Sequence, residues 1–232
     1  MFEKITALEL TPFFISFKLA SITTVILLII SLFLAWKLSQ TRSRYKPIFE
    51  AITALPIVLP PSVLGFYILF TLSFHSPIGQ FFRDVFGIKL VFNFTGLVVA
   101  SCFYSLPFMV QPLQSGFEAL PKNMLEASYI AGKSNLSTLF RVALPNIKPS
   151  MLTAVVITFA HTVGEFGVVL MVGGSIPSET KVASVAIYEM VEIMDYQGAH
   201  IYSGIMVFIS FCVLLSVYMF NRKQNSHFGG LS

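Results

Sequence analysis

Residues 126–145 read EASYIAGKSNLSTLFRVALP, a polar island between two strongly apolar segments. Read as a helix, residues 123–139 place Leu125, Tyr129, Leu136 and Leu139 among the apolar positions, and Asn123, Glu126, Lys133 and Asn135 among the polar ones. Asn123 is the expected helix cap. That puts Glu126 at the third helical position, where a carboxylate bonds back to the cap or meets the positive end of the helix dipole. Gly132 interrupts the helix and permits a bend or a close backbone approach. Pro145 fits the start of a new helix, and Pro149 reinforces the break. The expectation is a short helix, a glycine turn, a second short helix and re-entry into the apolar segment that follows. Such an insert offers a surface for another protein's groove. An ordinary loop carrying a surface helix is the alternative that the residues alone leave open.

Composition says what surrounds the insert. Of 232 residues, 55% are hydrophobic and 11% charged, against about 25% charged in soluble domains. With a mean hydropathy of +0.79, the chain reads as a membrane protein embedded in a lipid bilayer. The net charge of +4 lies in short loops rather than on a basic face or arm, which argues against a nucleic-acid partner. Cys102 and Cys212 fall inside apolar runs without metal-ligand spacing and read as small core side chains. The N-terminal MFEKITALEL lacks the basic start of a cleaved signal peptide, so mature sequence is expected there.

A crossing helix needs roughly 20 apolar residues. Residues 13–36, 48–72, 92–113 and 201–220 qualify, and so does 150–172, which carries His161 and Glu165. Five spans place the termini on opposite sides. Lys37, Arg42, Arg44, Lys46, Lys122, Lys133, Arg141, Lys148, Arg222 and Lys223 fall on one side, and Lys4, Lys18, Arg83, Lys89 and Lys181 on the other. The excess of positive charge puts the first side in the cytoplasm, with the N-terminus outside and the C-terminus inside. On the outer side, FFRDVF within 74–91 suggests a short interfacial helix. VASVAIYEMVEIM within 173–200 suggests a second amphipathic helix at the surface.

The spacing of Glu126-Ala127-Ser128, Gly132, Val142 and Leu144-Pro145 resembles the signature loop of permease subunits in bacterial and archaeal ABC importers. Ser128 stands where that pattern has a second alanine, and Val142 where it has isoleucine. The resemblance implies an all-α integral membrane protein with the type I ABC importer permease fold. That means about five transmembrane helices in one domain, 1–232, plus a cytoplasmic coupling helix in the loop of about 122–148. It also implies that Glu126, Ala127, Ser128, Gly132, Val142, Leu144 and Pro145 form the ATPase-coupling site. The implied partners are a second copy of the chain, two ABC ATPase subunits inside and an oxyanion-binding protein outside. ATP and Mg2+ would be bound by the ATPases, with no cofactor in this chain. Residues 54–70, 161–189 and the run from Pro77 to Leu113 resemble the molybdate permease group, with tungstate as a near-isostere of the substrate. Sulfate and thiosulfate permeases are its nearest relatives.

Within the spans, Glu165 is the one acidic residue deep in an apolar run, flanked by Gly164, Phe166 and Gly167. Burying a carboxylate in lipid costs at least a few kcal/mol, so it must face protein, water or a donor. Lining the path, bonding to backbone opened at the glycines and capping a helix break all remain open. A structural or gate-organising role is favoured, because an ionised glutamate repels an anion. This makes residues 164–167 the candidate pathway or gate segment. His161, four residues earlier, would share its helix face and could pair with it. Pro56, Pro60, Pro61, Pro107 and Pro112 free backbone carbonyls in the membrane, as either a gate or simple helix packing can use. Ser101, Ser105, Thr153, Thr158, Ser203 and Gly204 are expected at helix contacts.

The sequence has no G-x-x-x-x-G-K-[ST] loop, so a partner must supply the ATP chemistry. It also lacks G-x-S-x-G and H-E-x-x-H motifs. Five spans enclose a path poorly; two copies supply ten spans about a two-fold axis. An ATPase-independent channel or secondary transporter, an intramembrane enzyme using His161 and Glu165, and a scaffold are the rivals to an importer subunit.

Overall fold

The first apolar run becomes α1, Thr11–Gln40, long enough at 1.5 Å per residue to cross a bilayer with turns to spare. The computed structural model describes residues 9–228, with the side chains of 216–218 and 220–228 left undescribed. Lys4 and the side chains of Arg222 and Lys223, used above for orientation, therefore lie outside the described residues. Among the described residues every regular element is helical.

Residues 48–72 do not form one straight span. They lie in α2 (Lys46–Val58) and α3 (Pro61–Leu72), which meet at a 110° bend. The cause is local. Pro60 and Pro61 have no N–H to continue the ladder, and proline forces the preceding residue into an extended conformation. Leu59 and Pro60 accordingly have ψ of 135° and 136°. A short helix, α4 (Pro77–Phe86), follows where FFRDVF suggested one. Ser76 caps it by accepting the Gly79 N–H at 2.9 Å. The next span, α5 (Phe94–Glu118), runs through Pro107 and Pro112 without ending, as a packed membrane bundle permits.

The polar insert forms α6 (Lys122–Ile130) and α7 (Asn135–Asn146). Asn123 is not the cap: Pro121 precedes the first helical residue, and Glu126 therefore falls beyond the third position. Pro145 does stand at the start of a helical turn, Leu144–Asn146, but that turn takes no new direction. It sits in the final turn of α7, after a π-turn over Leu139–Ala143, since proline offers no N–H to the carbonyl four residues back. The chain turns at Ile147 instead, by 81°, into α8 (Lys148–Gly164).

Residues 150–172 also depart from a single span. α8 stops at Gly164, Glu165 is extended (φ −67°, ψ 134°), and α9 (Gly167–Gly173) begins after Phe166. α10 (Ala183–Glu192) is the expected second short helix, with Ala183, Val185 and Ala186 turned inward. α11 (Tyr196–Phe228) completes the set. Among the described residues three helices are long and apolar enough to cross a membrane, and up to five spans result if the bent pairs α2–α3 and α7–α8 each count as one.

The main core lies where α1, α5 and α8 meet the insert: Trp36, Met109, Leu113, Phe117, Leu139 and Ala154 are all buried there. In lipid, association relies on close packing and interhelical hydrogen bonds rather than on escape from water. Ser105 Oγ and Thr162 Oγ1, 3.0 Å apart, join α5 to α8, and Thr158 is buried along the same seam. Gly204, expected at such a contact, has nothing within 4 Å of where a Cβ would stand. Gly116 shows how tight the α5–α8 contact is: an added Cβ would lie 2.7 Å from Cβ and Oγ of Ser150. Gly116→Ala is therefore expected to destabilise the protein by about 1–3 kcal/mol, the usual cost of overpacking. A thermal melt in detergent reads this directly, and an unchanged midpoint would show that the helices have room to part.

Candidate functional site: the coupling loop and the junction of the broken spans

The insert is built as a projecting knob with an anchored base. Trp36, near the end of α1, donates its indole N–H to Asn135 Oδ1 at 3.0 Å. Its ring packs edge-on against Phe117 of α5, 5.1 Å between centroids. Ser128 on α6 and Thr138 on α7 share a buried hydrogen bond of 2.9 Å. Between these helices Gly132 takes φ +74°, the left-handed region that glycine enters without strain. Its N–H closes on the Tyr129 carbonyl at 2.9 Å.

This arrangement divides the expected coupling residues into two groups. Ser128 is 8% exposed, and Val142 and Leu144 are half-buried, with Leu144 against the main core; these three hold the knob together. Glu126, Ala127, Gly132 and Pro145 are exposed and face whatever approaches. Tyr129 and Leu136, apolar positions of the insert, are exposed, and so are two residues that the pattern did not mark: Phe140 and Ile130, which is 88% exposed at the end of α6. The amphipathic spacing of α6 contains that signal, because Ile130 has no buried counterpart on its own face.

The second site lies where the two broken spans touch. An added Cβ on Gly167 would stand 2.8 Å from Cβ of Pro61, so the discontinuity between α8 and α9 is seated on the one between α2 and α3. Glu165 is 5% exposed. Its carboxylate accepts the Val168 N–H of α9 at 2.8 Å, and the Tyr104 side chain of α5 lies close enough to interact with it. Ser184 at the start of α10 donates to the Glu165 carbonyl at 2.6 Å. Phe166 packs on Tyr188, 4.9 Å between ring centroids, and Gly164 is exposed with open space around it. Of the three roles left open for Glu165, the geometry displays the helix-break cap. His161 does not complete the expected pair on that face, because Glu165 lies past the end of the helix. The imidazole stacks instead on Phe108 at 3.8 Å, and its Nδ1 lies 3.4 Å from Ser105 Oγ.

A third polar feature was not foreseen. At the insert end of α2 and α5, Lys46 Nζ donates to Glu118 at 2.7 Å and lies 3.6 Å from Glu50. Gln114 Nε2 donates to Glu50 at 2.6 Å and to Glu118 at 3.0 Å.

An anchored knob thus projects from one end, and broken helices interlock within the bundle. The chain belongs to the family described as binding-protein-dependent transport system inner membrane component, which matches residues 27–226. It is 49% identical over 214 residues to the molybdenum transport system permease protein ModB of Azotobacter vinelandii, covering 92% of this chain and 95% of that one. To a probable sulfate transport system permease protein cysT of Zygnema circumcarinatum it is 30% identical over 227 residues, covering 97% and 78%. Among solved structures it resembles the inward-facing MetNI methionine ABC transporter (TM-score 0.74, 17% identity, 96% of this chain and 99% of that chain). It also resembles a bacterial ABC transporter involved in the import of the acidic polysaccharide alginate (TM-score 0.76, 14% identity, 92% of this chain and 79% of that chain). The type I ABC importer permease fold is thereby established.

Proposed function

We propose that this chain is the membrane-spanning permease subunit of an ATP-driven, binding-protein-dependent importer of molybdate, with tungstate as a near-isostere. The observation that carries the reading is the 49% identity with a molybdenum permease across 92% of the chain, set against 30% with a sulfate permease. Two copies would form the path, with α6 and α7 of each docked on an ATPase subunit in the cytoplasm, where ATP and Mg2+ bind. A separate binding protein would deliver the anion from outside, where the N-terminus lies; the C-terminus is cytoplasmic. ATP closure draws the two knobs together and favours the outward-open packing of the spans. Hydrolysis returns them to the inward-open one. Glu126, Ala127, Gly132 and Pro145, joined by Ile130 and Tyr129, present the docking face, while Ser128, Val142 and Leu144 support it. Residues 164–167 organise the gate, and the chain itself carries no ATPase centre.

The test is uptake of labelled molybdate into vesicles holding the permease, its ATPase and its binding protein. Uptake should require both ATP and the binding protein and persist in excess sulfate. Competition by sulfate at equal concentration would reassign the chain to sulfate transport, and uptake without ATPase would make it a channel or secondary transporter.

A further inference from the structure

Between α2 and the insert end of α5 lies a groove of about 440 Å3, lined by Glu50, Thr53, Gln111, Gln114, Ser115 and Glu118. It is a polar stretch in an otherwise apolar pair of helices. Beside the neutral donors Gln111, Thr53 and Ser115, the two strongest groups for a tetrahedral oxyanion meet here: the Gln114 amide in the groove and the Lys46 ammonium at its edge, beside Glu118. Both are already occupied. Glu118 takes Lys46 at 2.7 Å, and Gln114 divides its amide between Glu50 at 2.6 Å and Glu118 at 3.0 Å. On the far side of the Lys46–Glu118 pair lies a second hollow of about 350 Å3 that also receives Arg42 and Lys122. The pair thus stands between an acidic groove and a basic hollow.

We infer that Glu50 and Glu118 are internal stand-ins for the transported anion at the cytoplasmic exit, occupying the donors that would otherwise retain it. This rests on the reading of the chain as an oxyanion importer. A charge-assisted bond is roughly twice as strong as a neutral one, so a free lysine and amide at the exit would hold the departing anion and take it back from the cytoplasm. Tethered carboxylates present their oxygens at an effective concentration that a dilute cytoplasmic anion does not match. Two carboxylates facing one ammonium also leave the groove net negative, which repels an anion lingering there. The exit is thereby kept non-retentive even though it contains the right donors.

The experiment uses the complete complex in proteoliposomes, with ATP and molybdate supplied at the face that carries the insert. The quantity read is the molybdate concentration that halves ATP hydrolysis. In the double variant Glu50→Gln/Glu118→Gln it should fall by about tenfold relative to wild type, the effect of one unmasked charged donor. Adding Lys46→Met should return it to the wild-type value. A merely structural loss would lower turnover without creating sensitivity to the anion. Gel filtration with the ATPase verifies assembly, and should the double variant not assemble, each single variant carries the test with an expected shift of about threefold. Unshifted sensitivity, or sensitivity that survives Lys46→Met, overturns the inference. Wild-type uptake in the same vesicles is read separately: its absence defeats the importer reading, whereas its presence with unshifted inhibition defeats the exit proposal alone.

Discussion

Ile130→Asp is expected to weaken the association of this chain with the proposed ATPase subunit by roughly thirtyfold, the loss typical of a central apolar anchor worth about 2 kcal/mol. Ile130 is 88% exposed on a knob whose interior is closed by the Ser128–Thr138 and Trp36–Asn135 bonds. The folded chain has nothing to lose there. A charged residue at the position would have to be desolvated in a docked complex, whereas it is harmless on a free surface. Gly132→Pro reaches the same end by another route. Proline cannot adopt φ +74° and lacks the N–H that Gly132 gives to Tyr129, so the turn between α6 and α7 is lost. Co-purification and stimulated ATP turnover measure both. Full association of the Ile130→Asp chain, with an unchanged melting midpoint, would remove α6 from the docking surface.

The contrast between Ile130 and Ser128 shows what the sequence could and could not reveal. Apolar runs and the polar insert were legible because each is a property of consecutive residues. The short helices at 77–86 and 183–192 followed from the same local patterning, as did the turn at Gly132. The broken spans were only half legible. Pro60 and Pro61 announced a disturbance, but an average of hydropathy over 48–72 contains no angle, and the 110° bend depends on what the two halves pack against. Likewise, pairing His161 with Glu165 assumed that one helix ran through both. That assumption failed at Gly164, where the ladder stops and the imidazole is already committed to Phe108 and Ser105. The Lys46–Glu50–Gln114–Glu118 cluster is contained in the sequence only as two separate i,i+4 pairs, and their joining was out of reach. Its bonds join positions 64 and 72 residues apart, and only the crossing of α2 with α5 makes them neighbours. What lies on the exposed faces of α2 and α3, including a second copy, depends on surfaces that no single chain contains.

Glu165→Ala is expected to cut transport by more than tenfold while Glu165→Gln retains most of it. The difference separates a cap from a ligand or a proton carrier. Removing the carboxylate leaves the buried Val168 N–H, held at 2.8 Å by Glu165, without an acceptor, at a cost of about 1–3 kcal/mol. Each 1.4 kcal/mol is a factor of ten in the population of the correctly joined state. Glutamine keeps an oxygen in the same place and so keeps the bond. The backbone at the break should stay near its position in both variants, because Ser184 grips the Glu165 carbonyl rather than its side chain, and Pro61 closes over Gly167. The Ala variant should therefore assemble with its ATPase and hydrolyse ATP, yet move little anion, since α9 is no longer held to the end of α8 as the spans shift. Were Glu165 to bind the cargo or carry a proton, the neutral amide would fail as badly as alanine. Equal failure of the two variants, with equal melting midpoints, would replace the cap by direct participation.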